Sequence, residues 1–389
     1  MSQSKKNIKI SSRSDISVFR ALDMMREVNE RAAAGEDIMR MGAGQPCFGA
    51  PEEALDYARA TITSDPRQGY TEAIGMLCLR ERIAQYYDDY YGVPSVNPAN
   101  ILISVGSSGA FVLTFTAAFD AGDTIALITP TYPAYRNILK SLSLNVVEIE
   151  SGAKDNYQPT VELLENCGHK FDGLIINSPS NPAGTMIEES ELKAICNWCD
   201  EQGVRLISDE AYHGITYETK AQSAVKYSNS AIVMNTFSKY FAMTGWRLGW
   251  AVVPEDIRDR VKKLSESLFV SPPTISQHLA YKIFDHTDVL DSYAEYYRVN
   301  RDIVMTELPK AGFTSISNAT GAFYVYADVH DFTNDSEEYC RRMLGEAKVS
   351  TTPGLDFDLT RGHTTIRICY ADTTENIMEA CKRLQKWQG

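Results

Sequence analysis

Five short apolar runs, at 101–105, 124–128, 172–179, 204–209 and 231–235, each stop at a polar or small residue, and helical patterns fill the spaces between them. Runs of this length, rich in Ile, Val and Leu and bounded by Gly, Pro, Ser or Asn, read as buried strands. Strands alternating with helices predict an α/β fold, a large, doubly wound and mainly parallel sheet whose strand C-terminal ends gather the ligand. Asn181, Asp209 and Lys239 all fall at such ends.

The 389 residues are enough for two domains. Beyond Pro254 a helical stretch runs to about 284, and 289–310 reads as helical again, so the domain junction is expected there. Strands at 315–329 and 364–370 and helices at 337–347 and 374–387 predict a smaller α+β domain built from the C-terminal part and the N-terminal residues. The expected division is 1–45 with the small domain, 46–285 as the large domain, and 286–389 as the small domain. At 17–34, Val18, Leu22, Met25 and Val28 share one helical face that is expected to pack on another surface. No internal repeat or low-complexity tract interrupts the chain.

A net charge of −13 argues against nucleic acid or an anionic membrane as partner. The polar N-terminus lacks the apolar core of a signal peptide, and about eighteen apolar residues never run together. The expected address is the cytoplasm. The eight cysteines are scattered and read as reduced core thiols. Cys196 and Cys199 form a lone C-x-x-C inside a helical pattern with no second pair or His at ligand spacing, so no metal site is expected.

Lys239 follows the last of the five runs among Phe237, Tyr240, Phe241, Met243 and Trp246. Apolar surroundings lower a lysine's pKa and free its lone pair for attack on a carbonyl. Arg247, with the hydroxyls of Thr236 and Ser238, makes a phosphate clamp. A reactive lysine beside a phosphate clamp suggests pyridoxal phosphate. Ser107, Ser108 and Gly109, in a small-residue turn between a strand and a helix, are further phosphate candidates because free N–H groups gather there. Asp209 ends an apolar strand, where a pyridinium N–H would offset the cost of its burial, and Tyr212 and Asn181 could bond a ring oxygen. Taken singly, Asp209 also suits a helix N-cap and Asn181 a turn. Arg367 is a lone guanidinium in a β-rich apolar run, suited to an amino-acid α-carboxylate or to a structural ion pair.

The stretch from Thr236 to Gly249 resembles the Schiff-base lysine segment S-x-S-K-x-F-x-M-x-G-x-R-x-G of fold-type I pyridoxal-phosphate aminotransferases, with Thr236 at the first hydroxyl position. The family's N-P-x-G, D-E-x-Y and S-K motifs occur here in order at Asn181, Asp209 and Lys239. The resemblance implies an aminotransferase of the aspartate aminotransferase family, I-gamma-like, moving amino groups between L-amino acids and 2-oxo acids. It implies Tyr132 against the pyridine ring, with Tyr135 left without a role, and Gly44, Asn181 and Arg367 on the substrate carboxylate. It also implies Tyr70 reaching the phosphate of a neighbouring subunit, hence a homodimer with shared active sites. Ser108 stands where the I-gamma aspartate enzymes often have a lysine, which weakens aspartate as substrate. A β-eliminating C–S lyase and a non-catalytic sensor are the alternative readings.

Overall fold

The computed structural model describes residues 8–387, so the first seven positions of the polar N-terminus lie outside the described residues. Seven strands share one sheet: β1 (Ile101–Val105), β2 (Thr124–Thr129), β3 (Asn145–Glu150), β4 (Gly173–Asn177), β5 (Arg205–Asp209), β6 (Ile232–Thr236) and β7 (Leu248–Val252). Their order is β1-β7-β6-β5-β4-β2-β3. All run parallel except β7, which is antiparallel to both β1 and β6. The chain moves outward from β2 to β3, then returns to β4 on the other side of β2. Such a change of direction opens a crevice at the strand C-terminal ends.

Alternation along the strands feeds two cores. Leu174, Ile176, Leu206 and Val233 belong to one face, and Ile175, Ile207, Ile232 and Met234 to the other. This is the period-2 pattern of strands buried on both sides. Parallel register sets Asn177 opposite Asp209 and Asp209 opposite Met234, so the strands end level.

Helices cover both faces. Helix α1 spans Arg20–Ala33, α2 Gly106–Ala118, α3 Ala134–Ser141, α4 Glu189–Gln202, α5 Glu255–Leu268, α6 Thr287–Glu307, α7 Ser336–Arg342 and α8 Thr374–Trp387. Cys196 and Cys199 lie buried on the core-facing side of α4.

Several expected boundaries shift. The helical stretch after Pro254 is broken, with α5 followed by Thr274–Ile283, because Pro272 and Pro273 supply no N–H to continue the ladder. The turn expected at 106–109 is already the first turn of α2. The strand expected over 315–329 contracts to β8 (Tyr324–Asp328), which pairs antiparallel with β10 (Thr365–Cys369), while β10 also pairs with the two-residue β9 (Thr352–Pro353). The helix expected at 337–347 is α7 followed by a π-helical turn at Met343–Ala347. A two-residue parallel ladder joins Met39–Arg40 to Val349–Ser350.

The face expected over 17–34 is split: Val28 is buried and Met25 half-buried on α1, but Leu22 is exposed, as is Val18, which precedes the helix; the second buried side chain of α1 is Met24, one position off that face.

Ile207 is fully buried at the centre of the sheet. Ile207→Ala should cost about 2–5 kcal/mol, read as a lower denaturant midpoint; a loss below about 1 kcal/mol would contradict this packing.

Candidate active site

The strand ends enclose a cavity of about 280 Å³. Of the sequence candidates, Gly44, Ser107, Ser108, Tyr132, Asn181, Asp209, Tyr212, Thr236, Ser238, Lys239, Arg247 and Arg367 line it. Gly109 does not. A side chain there would face Ser104, Val105 and Phe269. Tyr70 is 88 % exposed on a loop and is not among the residues lining its own chain's cavity.

Lys239 stands three residues beyond the end of β6. Its Nζ donates to the Gly44 carbonyl at 2.6 Å and faces the rings of Tyr212 (5.6 Å) and Phe323 (5.9 Å). Burial pushes the ammonium down to about 8, and the positive Arg367 and Arg247 act in the same direction. The lowered pKa agrees with the sequence reading, but the rings around the amine are different ones. Phe237 and Phe241 instead pack with Trp250 and Phe284, and the Tyr240 hydroxyl turns away to Asp291 at 2.6 Å.

Asp209 ends β5 and is buried. Its Oδ2 accepts from the Tyr135 hydroxyl and its Oδ1 from the Ala211 N–H at 3.0 Å. Burial pushes the carboxyl up to about 6, while Tyr135, Ala211 and Lys239 hold it from rising further. Tyr135 is thus a site residue that the sequence left unassigned. Its signal was the Pro133 that opens α3: a side chain in a first helical turn leans back over the preceding strand end.

Arg367 on β10 is 4 % exposed, yet its partners are neutral. Nη1 donates to Asn181 Oδ1 at 2.9 Å, and Nη2 to the Gly42 carbonyl at 2.8 Å and Thr352 Oγ1 at 3.2 Å. Its Nε is buried with no partner among the described residues. The guanidinium lies over Tyr324 (4.5 Å) and Phe357 (4.9 Å). Tyr324, also unforeseen, shares a 2.8 Å hydrogen bond between hydroxyls with Tyr212. It fills the space beside Gly44 so closely that a Cβ there would sit 2.4 Å from its hydroxyl. Asn177 ties the carboxylate side to the guanidinium side: its Nδ2 donates to the Asp209 carbonyl at 3.0 Å, and its Oδ1 accepts from the Asn181 N–H at 2.8 Å.

The remaining candidates form a cradle at the start of α2. Its N-cap residue, Val105, has no side chain that could cap it, so among the described residues the first-turn amides are open to an anion. Gly106 has φ +66°, and a Cβ there would lie 2.8 Å from Arg247 Nη2; one on Gly249 would lie 2.6 Å from the Ser107 nitrogen. Arg247 itself adopts φ +53°, a costly conformation for a residue with a side chain, held by the bond from the Gly106 N–H to its carbonyl at 3.0 Å.

Phe19, Ala21, Leu22 and Met25, from α1 and the residue before it, also line the cavity. The exposed part of α1 therefore faces the site. A second cavity of about 540 Å³ behind Tyr240, bounded by Tyr86, Tyr90 and Phe284, touches none of the site residues.

The model of the family "Aminotransferase class I and II" matches residues 36–384. Valine–pyruvate aminotransferase of Mycobacterium tuberculosis is 40 % identical over 97 % of this chain and 98 % of its own. (5-Formylfuran-3-yl)methyl phosphate transaminase of Methanocaldococcus jannaschii is 32 % identical over 95 % and 96 %. Among solved structures, an aminotransferase from M. tuberculosis superposes with a TM-score of 0.95 at 40 % identity, covering 98 % of this chain and 99 % of that one. Aspartate aminotransferase of Thermus thermophilus with maleate gives 0.91 at 27 % identity, covering 98 % and 100 %. The chain belongs to the class I and II aminotransferases, enzymes that use pyridoxal phosphate and act on amino and oxo acids. The donor set fits that cofactor: an amine of lowered pKa and, among the described residues, an uncapped helix start beside Arg247 and a buried carboxylate without a cationic contact.

In cofactor-free protein, labelling of Lys239 by an amine acylating reagent, followed by peptide mass spectrometry, should rise with pH and level off above about 8. Exposed lysines should still be rising there. A Lys239 rate that climbs through pH 10 would contradict the burial of its amine.

Proposed function

We propose that Lys239 and Arg367 are the central pair of this aminotransferase, Lys239 moving the proton of an L-amino acid and Arg367 holding its α-carboxylate. The observation that carries this reading is Arg367, a buried guanidinium with neutral partners and an Nε unpaired among the described residues, opening on the same cavity as the Lys239 amine. Such a group calls for an anion from outside the chain. The valine–pyruvate relative supports an amino acid and a 2-oxo acid as the exchanging pair.

The amides of Ser107, Ser108 and Gly109 would hold the cofactor phosphate together with Thr236, Ser238 and Arg247. Tyr132 would lie against the ring, and Asn181 and Tyr212 would donate to its oxygen. Asp209, kept ionised by Tyr135 and the Ala211 N–H, would keep the ring nitrogen protonated. When bound, pyridoxal phosphate supplies a ring that takes up the electrons left at the substrate's Cα. Arg367 and Asn181 clamp the α-carboxylate, with Gly44 alongside, and this fixes the direction of the Cα–H bond. Lys239 takes that proton on Nζ. Its lowered pKa makes the neutral amine available near neutral pH.

The same reading makes the enzyme a homodimer with shared sites. It rests on the exposed Tyr70, whose counterpart in the resembled family serves the neighbour's phosphate. Separate seven- and three-stranded sheets support a division into a large domain, 46–285, and a small one formed by 286–389 with 1–45. A cytoplasmic address is proposed from the eight unpaired cysteines; among the described residues no helix is long and apolar enough to cross a membrane.

Mixed with single L-amino acids and no oxo acid, the holoenzyme should release up to one equivalent of the matching 2-oxo acid per site. Release of pyruvate and ammonia in repeated turnovers, or no product from any amino acid, would overturn the reading. Lys239→Ala should abolish turnover, and Arg367→Ala should lower kcat/KM by about two to three orders of magnitude, chiefly through KM. Sedimentation should give twice the 43.4 kDa chain mass, and a monomer at working concentration would remove the role given to Tyr70.

A further inference from the structure

Helix α1 and the residue before it supply an apolar wall of the site. Among the described residues, the basic side chains lining the cavity are Lys239, Arg247 and Arg367. The proposed function engages all three, on the proton, the phosphate and the α-carboxylate. Phe19, Ala21, Leu22 and Met25 offer nothing to a second carboxylate, which would lose its water there without gaining a counter-ion from the described residues of its own chain. Leu22 is also 52 % exposed on a helix that buries Met24 and Val28, so it leaves apolar area for a ligand to cover.

The wall is fixed from the far end of the sequence. Phe19, at the N-cap position, provides no side-chain cap. In its place the buried Asp356 accepts from the backbone N–H of Arg20 at 2.9 Å and of Ala21 at 2.7 Å, and Arg20 Nε donates to Glu337 at 3.0 Å. A carboxylate in this position satisfies open amides and the helix dipole together. The next residue, Phe357, accepts at its carbonyl from the Thr131 N–H at 2.9 Å and from Arg136 Nη2 at 2.9 Å. The α1 wall and the Tyr132 segment thus share one anchor, and Phe19 meets Tyr132 edge-on at 6.0 Å.

Resting on the aminotransferase reading, we infer that the site selects 2-amino acids carrying one carboxylate and an apolar side chain. Leu22 and Met25 select against a second carboxylate, and Asp356 is the positioning residue that holds their helix.

Calorimetry on the holoenzyme with two unreactive ligands, 3-methylbutanoate and maleate, tests this directly. The wild type should bind 3-methylbutanoate at least about tenfold more tightly than maleate. Leu22→Arg, at a half-exposed position that tolerates a long side chain, should raise maleate affinity by about tenfold or more and weaken 3-methylbutanoate. Asp356→Ala should shrink the wild-type ratio, and Asp356→Asn, which keeps an acceptor oxygen, should restore most of it; simple destabilisation would lower both affinities and leave the ratio alone. A wild type that binds the two equally, or a ratio unmoved by Leu22→Arg, overturns the inference. Transfer from aspartate as readily as from valine would also overturn it while leaving the aminotransferase reading in place. Absence of transfer from every amino acid would strike that reading instead, and the binding ratio would still decide the selectivity of the wall.

Discussion

Three charged side chains are held out of water around one cavity, and the direct contacts of each are neutral. Lys239 has the Gly44 carbonyl, Asp209 the Tyr135 hydroxyl and an amide, and Arg367 an Asn side chain, a carbonyl and a Thr hydroxyl. Holding ions this way costs several kcal/mol apiece in typical proteins. The two apolar cores on either side of the sheet offset that cost, and the level strand ends keep the charges facing one space. Groups that are already desolvated and oriented in this way need little reorganisation when a ligand arrives.

The end of β5 shows how finely the strand sorts its side chains. Asp209 and Glu210 are adjacent carboxylates, both buried, pointing to different surroundings. Asp209 opens on the cavity, and burial pushes it up to about 6. Glu210 accepts from Ala224 N–H at 2.8 Å and the Ser208 hydroxyl at 3.0 Å, and burial pushes it up to about 8. Burial raises both, and the one that faces the cavity stays the more acidic of the two.

Much of the architecture was legible in the sequence because it rests on periodicity and punctuation. Strand β1 and helix α8 coincide with the expected bounds at 101–105 and 374–387, and twelve candidate residues line one cavity. What escaped was decided by tertiary packing. β7 follows Arg247 without a turn signal of its own, and its antiparallel direction is set by the sheet. Tyr135 and Tyr324 read as ordinary aromatics until their hydroxyls meet Asp209 and Tyr212. On α1, the apolar periodicity was visible but could not say that half of the stripe faces a cavity. The rings around Lys239 were misassigned for the same reason: neighbours in sequence point into the core, and the rings that reach the amine come from two other segments.

The short ladder joining Met39–Arg40 to Val349–Ser350 has a consequence for the order of assembly. The carbonyls of Gly42 and Gly44, which hold Arg367 and Lys239, leave the ribosome early, but their positions depend on a partner made some 310 residues later. Contacts across such separations form late, after local helices and sheet pairs. All seven strands of the large sheet precede that partner in the chain, so during synthesis the sheet can form while the groove above it is still open, with Lys239 in place but no closed cavity around it.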